Sequence, residues 1–400
     1  MIHAVLLLAQ LVVSPVGPYT SVAAAVQAAK PGDHIVVRAG TYPTQDVRVD
    51  RRVTITGEGW PVLDAGGEHQ VLVIVADSVT VTGLVFRNVA TSFVNDRAAV
   101  RVDDVTACDV HDNRFERTFF GVYLARTRGC RVTGNRFRGA YRSEATSGNA
   151  VHLWNTVGTI VERNEVTGHR DGIYLEFARH ARVADNESHD NFRYGLHFMF
   201  SDSCAYERNL FTRNGAGVAV MYTNVVVMTG NRFLENEGPT AYGLLLKDIN
   251  DSRVEGNVFR RNTVALHLEG SNRIRVLGND FESNGWAVRL LGNSDDGRLE
   301  RNRFVANSFD LSTNAASATA TLDANEWDEY RGYDLDRDGF GDVPFRPVRL
   351  FAILVQDNEP ALILLRSLFI DLLDVAERVL PVLSPQGLVD HRPVVRKASR

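Results

Sequence analysis

A phrase of the form V-x-x-N-x-F returns along this chain at nearly constant spacing, and no other feature restricts the fold so strongly. It reads VHDNRF ending at Phe115, VTGNRF at Phe137, VERNEV at Val166, VADNES at Ser188 and YERNLF at Phe211. It continues as MTGNRF at Phe233, VEGNVF at Phe259, VLGNDF at Phe281, LERNRF at Phe304 and LDANEW at Trp327. The central asparagines are Asn113, Asn135, Asn164, Asn186, Asn209, Asn231, Asn257, Asn279, Asn302 and Asn325, most of them 22 or 23 residues apart. A second phrase lies between them: GVYL from Gly121, AVHL from Ala150, GIYL from Gly172, GLHF from Gly195 and GVAV from Gly217, then GLLL, ALHL and AVRL from Gly243, Ala265 and Ala287.

Each unit thus holds short period-2 strands separated by polar turns. A coil of that length with about three strands, stacked at the strand spacing of ~4.8 Å, is a right-handed parallel β-helix, an all-β solenoid. The asparagines are expected to stack inward at one corner, each amide bonding to the next. A leucine-rich solenoid shares the period but needs an LxxLxLxxN order and a helical half, and both are missing here. Tyr19 to Tyr42 reads as a short Ala-rich helix, a Pro-Gly turn and a strand, so the helix covers the open end of the first coil. The organisation expected is a leader over 1–17, the β-helix over 18–330, an exit segment over 331–349, and a C-terminal helix and tail over 350–400.

With 44 Lys and Arg against 49 Asp and Glu, scattered along 400 residues, the chain lacks the basic footprint of a nucleic-acid binder. Ala4 to Val13 is an apolar run too short to span a bilayer and long enough for the core of a secretory signal, or else a buried first strand. Cys108, Cys130 and Cys204 show no CxxC spacing and suggest no disulfide framework; each precedes a repeat asparagine by five residues, which places them on one inward column as core. Met228 is core by the same register.

Stacking in register turns residues one repeat apart into neighbours. The third position of the GxxL strand gives an outward column of Tyr123, His152, Tyr174, His197, Ala219, Leu245, His267 and Arg289. The position after the Leu gives Ala125, Trp154, Glu176, Met199, Met221, Lys247, Glu269 and Leu291. Met199 and Met221 fall on adjacent rungs, with His197 two residues from Met199. Thioether with imidazole is the ligand chemistry that favours Cu(I), so the candidate copper set is His197, Met199, Met221, His152 and Glu176. A plain apolar strip under a loop accounts for the same residues.

After the last copy comes YDLDRDGFGD. Asp334, Asp336, Asp338, Phe340 and Asp342 occupy positions 1, 3, 5, 7 and 9 of a calcium loop, with Gly339 at the turn; the acidic residue usual at position 12 is replaced by Phe345. A bound calcium there would fix the chain's exit from the solenoid. Beyond it, Glu359 to Leu383 carries apolar residues at helical spacing, interrupted by charges that bar a membrane span. An amphipathic helix is expected, with Leu362, Leu365, Phe369, Leu372 and Val379 as its docking face, or as a cap on the fold.

The phrases GNAVHLWNT, DGIYLEFARHARV, YGLHFMFSDSC and GVAVMYTNVVVMTGNRF and the tail NEWDEYRGYDLDRDGFGDVPFRP resemble the NosD family, over nearly the whole chain. The resemblance implies a periplasmic, non-enzymatic accessory protein in nitrous oxide reductase maturation. It implies an ABC-type permease and ATPase, a copper chaperone and nitrous oxide reductase as partners, transient copper, membrane association through the permease, and a role in denitrification. The competing class is a polysaccharide-acting lyase, hydrolase or epimerase, for which Asp171 with His169 and Arg170, or Asp190 with His189, supply the acid and base.

Overall fold

The computed structural model describes residues 10–92, 94–141, 143–144, 146–314, 320–357, 359–364, 367–370, 372–373 and 388–395. The chain divides into two compact units, Met1–Ala205 and Tyr206–Arg400. Each is a run of parallel β-helix coils with three strands per coil, one to each of three parallel sheets, and the right-handed solenoid read from the repeat is the fold found. In the first unit the sheets are typified by Asp109–His111, Arg114–Glu116 and Phe120–Ala125, each pairing with strands 22 to 29 residues away. In the second, Arg253–Glu255, Val258–Arg260 and Val264–Glu269 do the same.

The asparagine ladder forms as the repeat requires. Asn113 Nδ2 donates to Asn135 Oδ1 at 3.1 Å, Asn135 to Asn164 at 3.1 Å and Asn164 to Asn186 at 2.9 Å. In the second unit the row runs from Asn209 through Asn231, Asn257, Asn279 and Asn302 to Asn325 at 2.9 to 3.1 Å. Each Oδ1 also accepts the backbone N–H of the asparagine before it, so these buried amides are satisfied. The residue before each ladder asparagine has a left-handed backbone, as in Gly134 (φ 67°), Asp185 (φ 56°) and Arg208 (φ 52°). That explains the Gly-Asn, Asp-Asn and Arg-Asn pairs of the repeat. The phenylalanines stack beside the ladder, with centroids 4.4 Å apart for Phe115 and Phe137 and 4.6 Å for Phe233 and Phe259.

A second ladder escaped the sequence reading. Asn236, Asn262, Asn284 and Asn307 bond in series at 3.0 to 3.1 Å, each five residues after a primary asparagine. The visible signal was the extended phrase N-x-F-x-x-N.

The first coil of the first unit and the last coil of the second are each covered. Val22–Ala28 is the expected helix, capped by Ser21 accepting from Ala24 N–H, and it buries Val22, Ala25 and Val26. Gln10–Val13 is a strand pairing with His34–Arg38 and burying Leu11 and Val13, so part of the apolar run lies in the first coil; residues 1–9 are outside the described residues. At the far end, the tail returns to bury Asp390. Its Oδ2 terminates the ladder by accepting from Asn325 N–H, Asn325 Nδ2 and Trp327 Nε1, all within 3.1 Å.

Three expectations need correction. Cys108 and Cys130 form a disulfide; spacing rules for neighbours along the chain overlook that a solenoid places residues one repeat apart at 4.5 Å between Cα atoms, within bridging distance. Among the described residues of the C-terminal stretch, Leu350–Asp357 is an α-helix and Glu359–Leu364 a 3-10 turn, with residues 368–370 and 372–373 helical beyond it; Pro360, which offers no N–H, falls where the α-helix gives way. Leu362 is not a free docking residue, since it packs with Phe309, Phe351, Val355 and Ile370 against the last coil.

Asp310 is buried beside that cluster, its Oδ1 accepting from Asn307 Nδ2 at 3.1 Å. Burial pushes its pKa up to about 6, with Asp328 adding to the effect and Asn307 and Arg349 opposing it. A folded pKa above the unfolded value favours the folded state below about pH 4, and this contribution is lost as pH rises through about 6. Asp310→Asn should therefore raise stability by about 3 kcal/mol at pH 7.5 and leave it unchanged near pH 3.5, as read from urea unfolding at the two pH values.

Candidate functional site

The outward column exists in the register foreseen: Tyr123 lies opposite His152, His152 opposite Tyr174, and Tyr174 opposite His197. In the neighbouring column Trp154 lies opposite Glu176, and Glu176 opposite Met199. It is not the open patch the alternation implied. His197 is 4% exposed, Tyr123 and Tyr174 are buried, and His152, Glu176 and Met199 are half-buried. Rings one rung apart cover one another: Tyr123 to His152 4.6 Å, His152 to Tyr174 4.7 Å, Tyr174 to His197 4.9 Å. Phe120 closes over His152 and Tyr194 over His197, at 5.2 and 4.7 Å.

Within this stack lies an ion pair that sequence reasoning did not find. Asp171 is fully buried, and Arg193 grips it with two bonds, Nε to Oδ1 at 2.8 Å and a terminal nitrogen to Oδ2 at 2.6 Å. His197 Nδ1 stands 3.7 Å from the same Oδ2. Burial alone would raise the Asp171 pKa; His197 and Arg193 outweigh it and bring the carboxyl down to about 2. Asp171 and Arg193 are 22 residues apart, one repeat, and that spacing was the available signal. Gly172 permits the packing, because a Cβ there would meet Ser188 Oγ at 2.2 Å and the Gly195 carbonyl at 2.6 Å.

The donor chemistry is specific. Neither ring nitrogen of His197 has a hydrogen-bond partner although the residue is buried, which is uncommon for a polar group out of water. Two residues along the same strand, Met199 Sδ accepts a hydrogen bond from the Tyr174 hydroxyl at 3.5 Å. Burial, reinforced by the charge of Arg170, pushes the His152 pKa down to about 3, so its imidazole is neutral at physiological pH; its Nδ1 is 3.1 Å from Asn149 Nδ2. Met221 lies in the second unit on the strand Ala216–Asn224, half-buried, opposite Lys247, which is paired with Glu269 at 2.8 Å. In that unit His267 repeats the pattern in part: it is buried, stacked on Tyr242 at 5.0 Å, and held near pKa 4 chiefly by burial.

The acid and base groupings expected of an enzyme come out differently. Arg170 does stand by Asp171, Nε to Oδ2 at 3.6 Å, but the carboxylate is gripped by Arg193 and approached by His197, while His169 lines a separate groove of about 1060 Å³ with Phe119 and Tyr141. His189 and Asp190 pair at 2.6 Å on the surface.

In the exit loop Asp334, Asp336 and Asp338 bring carboxylate oxygens within 4.8 Å of one another. Gly339 (φ 95°) makes the turn and its N–H bonds Asp334 Oδ2 at 3.0 Å. Asp342 is turned to the backbone, accepting from Leu335 N–H at 2.6 Å, and Phe340 stacks beneath Arg392. The tail braces this loop through Gly341 N–H to the Pro393 carbonyl at 2.7 Å. Of the docking residues, Phe369 and Leu372 are 49% and 61% exposed; Leu365 and Val379 lie outside the described residues. Among the described residues no helix is long and apolar enough to cross a membrane.

The family model for NosD, described as a periplasmic copper-binding protein, matches residues 138–335, the span that holds Asp171, His197, Met199 and Met221. Two curated relatives carry the name "Probable ABC transporter binding protein NosD". The one from Pseudomonas aeruginosa PAO1 is 29% identical over 90% of this chain and 87% of its own length, and that from Stutzerimonas stutzeri is 28% identical over 90% and 86%. Among solved structures, the surface adhesin PfbA of Streptococcus pneumoniae superposes with a TM-score of 0.55 at 10% identity, covering 74% of this chain and 88% of the adhesin. DFA-IIIase from Arthrobacter chlorophenolicus A6, without its lid, gives 0.53 at 13% identity, covering 81% and 96%. At such identities these two establish the parallel β-helix alone. With the family model on its central coils and two curated relatives along nine-tenths of its length, the chain is similar to the NosD proteins.

Proposed function

We propose that this protein is an exported, non-enzymatic accessory factor that receives Cu(I) during assembly of the copper centres of nitrous oxide reductase. In this reading it acts in the periplasm with an ABC-type permease and ATPase and with a copper chaperone. One observation carries the reading: a buried histidine with no hydrogen bond on either nitrogen, an Asp171 oxygen 3.7 Å from its Nδ1 and a thioether two residues along, inside a wall of aromatic rings. A buried imidazole without a hydrogen bond is a vacant donor, and imidazole with thioether suits a soft monovalent cation. His197 and Met199 would hold it, with His152 and Glu176 as further donors of the same columns. The copper is cargo, and the aromatic walls keep water from it.

The binding reading is favoured over a carbohydrate enzyme by the state of Asp171. Both its oxygens are taken by Arg193, and its depressed pKa makes it a weak base. The relatives, moreover, are named as binding proteins.

The exit loop is proposed as a structural calcium site through Asp334, Asp336 and Asp338, with the Phe340 carbonyl and Asp342 as outer contributors. Phe369 and Leu372 are proposed to meet the permease, together with Leu365 and Val379 of the same stretch.

Anaerobic titration with Cu(I) against a chromophoric chelator should show one tight site in the wild type, weakened at least tenfold in Met199→Leu; equal affinity in the two would remove the site from this face. Chelation of calcium should lower the melting temperature of the wild type and leave that of Asp336→Ala unmoved. Phe369→Ser with Leu372→Ser should lose co-purification with the permease and ATPase while keeping the wild-type melting curve. Deleting the residues after Leu350 is a poorer test, because it also removes the Asp390 cap.

A further inference from the structure

We propose that Asp171, clamped by Arg193, is the positioning residue that fixes the tautomer of His197. In this arrangement it holds the proton on Nδ1 and leaves Nε2 as the nitrogen free to bind a soft cation. The inference deepens the copper reading and rests on it for the identity of the cation.

The geometry supports it on three counts. Asp171 is the carboxylate that His197 approaches, Nδ1 to Oδ2 at 3.7 Å, a small side-chain rotation from a hydrogen bond. The carboxylate is itself immobilised, since Arg193 takes one bond to each oxygen and stacks over the Tyr194 ring, its carbon 4.9 Å from the centroid. Oδ2 retains lone-pair capacity for a second donor. The imidazole plane is fixed independently by Tyr174 on one side and Tyr194 on another, at 4.9 and 4.7 Å. A neutral imidazole has one N–H, and where a buried anion faces one nitrogen the proton resides there. The second nitrogen is then the basic one, and a carboxylate behind a metal-binding histidine orients the ring and raises its basicity. The pattern is spread over two rungs: Asp171 opens one strand, His197 sits on the next, and Arg193 precedes that strand across the turn.

The test is ¹⁵N spectroscopy of the imidazoles of the full-length, copper-free protein, with His197 assigned by its absence in His197→Gln. Two-bond ¹H–¹⁵N correlations at neutral pH are expected to show His197 with Nδ1 protonated and Nε2 bare. A wild-type spectrum with the proton on Nε2, or on both nitrogens, overturns the proposal whether or not the protein binds copper. Asp171→Asn should redistribute the proton toward Nε2 and weaken Cu(I) binding by about 10- to 100-fold. Met199→Leu should weaken binding and leave the tautomer unchanged. If Asp171→Asn does not fold, the wild-type spectrum decides alone. Absence of Cu(I) binding by a wild type with the proton on Nδ1 refutes the copper reading and leaves the tautomer assignment standing.

Discussion

The structure depends on the buried asparagine amide that bonds to its counterpart one coil on. A strand of three residues buries little and holds few hydrogen bonds, so the coil has no stability in isolation; the ladder fixes where each coil begins against the next. Because Asn Oδ1 accepts two N–H groups from the preceding asparagine and Nδ2 also reaches a carbonyl of an earlier coil, as in Asn135 to the Val110 carbonyl at 2.9 Å, a slip by one residue would orphan several buried donors at once. Leaving a buried donor unmade costs about 1 to 3 kcal/mol, and the penalty recurs at every rung. Register is therefore strongly specified, and with it the neighbours of every outward side chain.

That register produces the candidate site. None of Asp171, Arg193, His197, Tyr174 and Met199 is remarkable in its own stretch of sequence. The fixed offset of one coil stacks Tyr174 against His197 and delivers Arg193 to Asp171. The same offset makes a disulfide of Cys108 and Cys130, which look unrelated in the sequence. Burial then sets the chemistry: it lowers the basicity of His152 and His267, and it makes the Asp171–Arg193 pair a rigid fixture, because separating them would leave a charge out of water.

The far end follows the same logic. A solenoid ends in unpaired polar groups, and here the chain leaves, turns through an acidic loop, packs Phe351 and Val355 on Phe309, and returns to set Asp390 against Asn325 and Trp327. A carboxylate suits the last position because it only accepts, and the final asparagine has only donors left to satisfy. The tail is thus part of the fold, and the apolar side chains exposed between exit and return are carried on a segment anchored at both ends.

The V-x-x-N-x-F period by itself determined the solenoid, the inward ladder, the phenylalanine stack and the pairing of the outward columns, because in a stacked coil sequence spacing is spatial adjacency. It placed His152, Glu176, His197 and Met199 on one face. It did not show that this face is covered, since alternation assigns a side chain to a face and says nothing of what packs over it: Phe120 and Tyr194 decide that. Nor did it show that Asp171 meets Arg193 and His197 as well as its chain neighbour Arg170, because the direction a side chain takes at a coil corner depends on the left-handed turns and on packing across rungs. The helix after Leu350 and the capping role of Asp390 belong to the tertiary structure too, where the solenoid's periodicity has ended and only contacts between distant segments determine what each residue does.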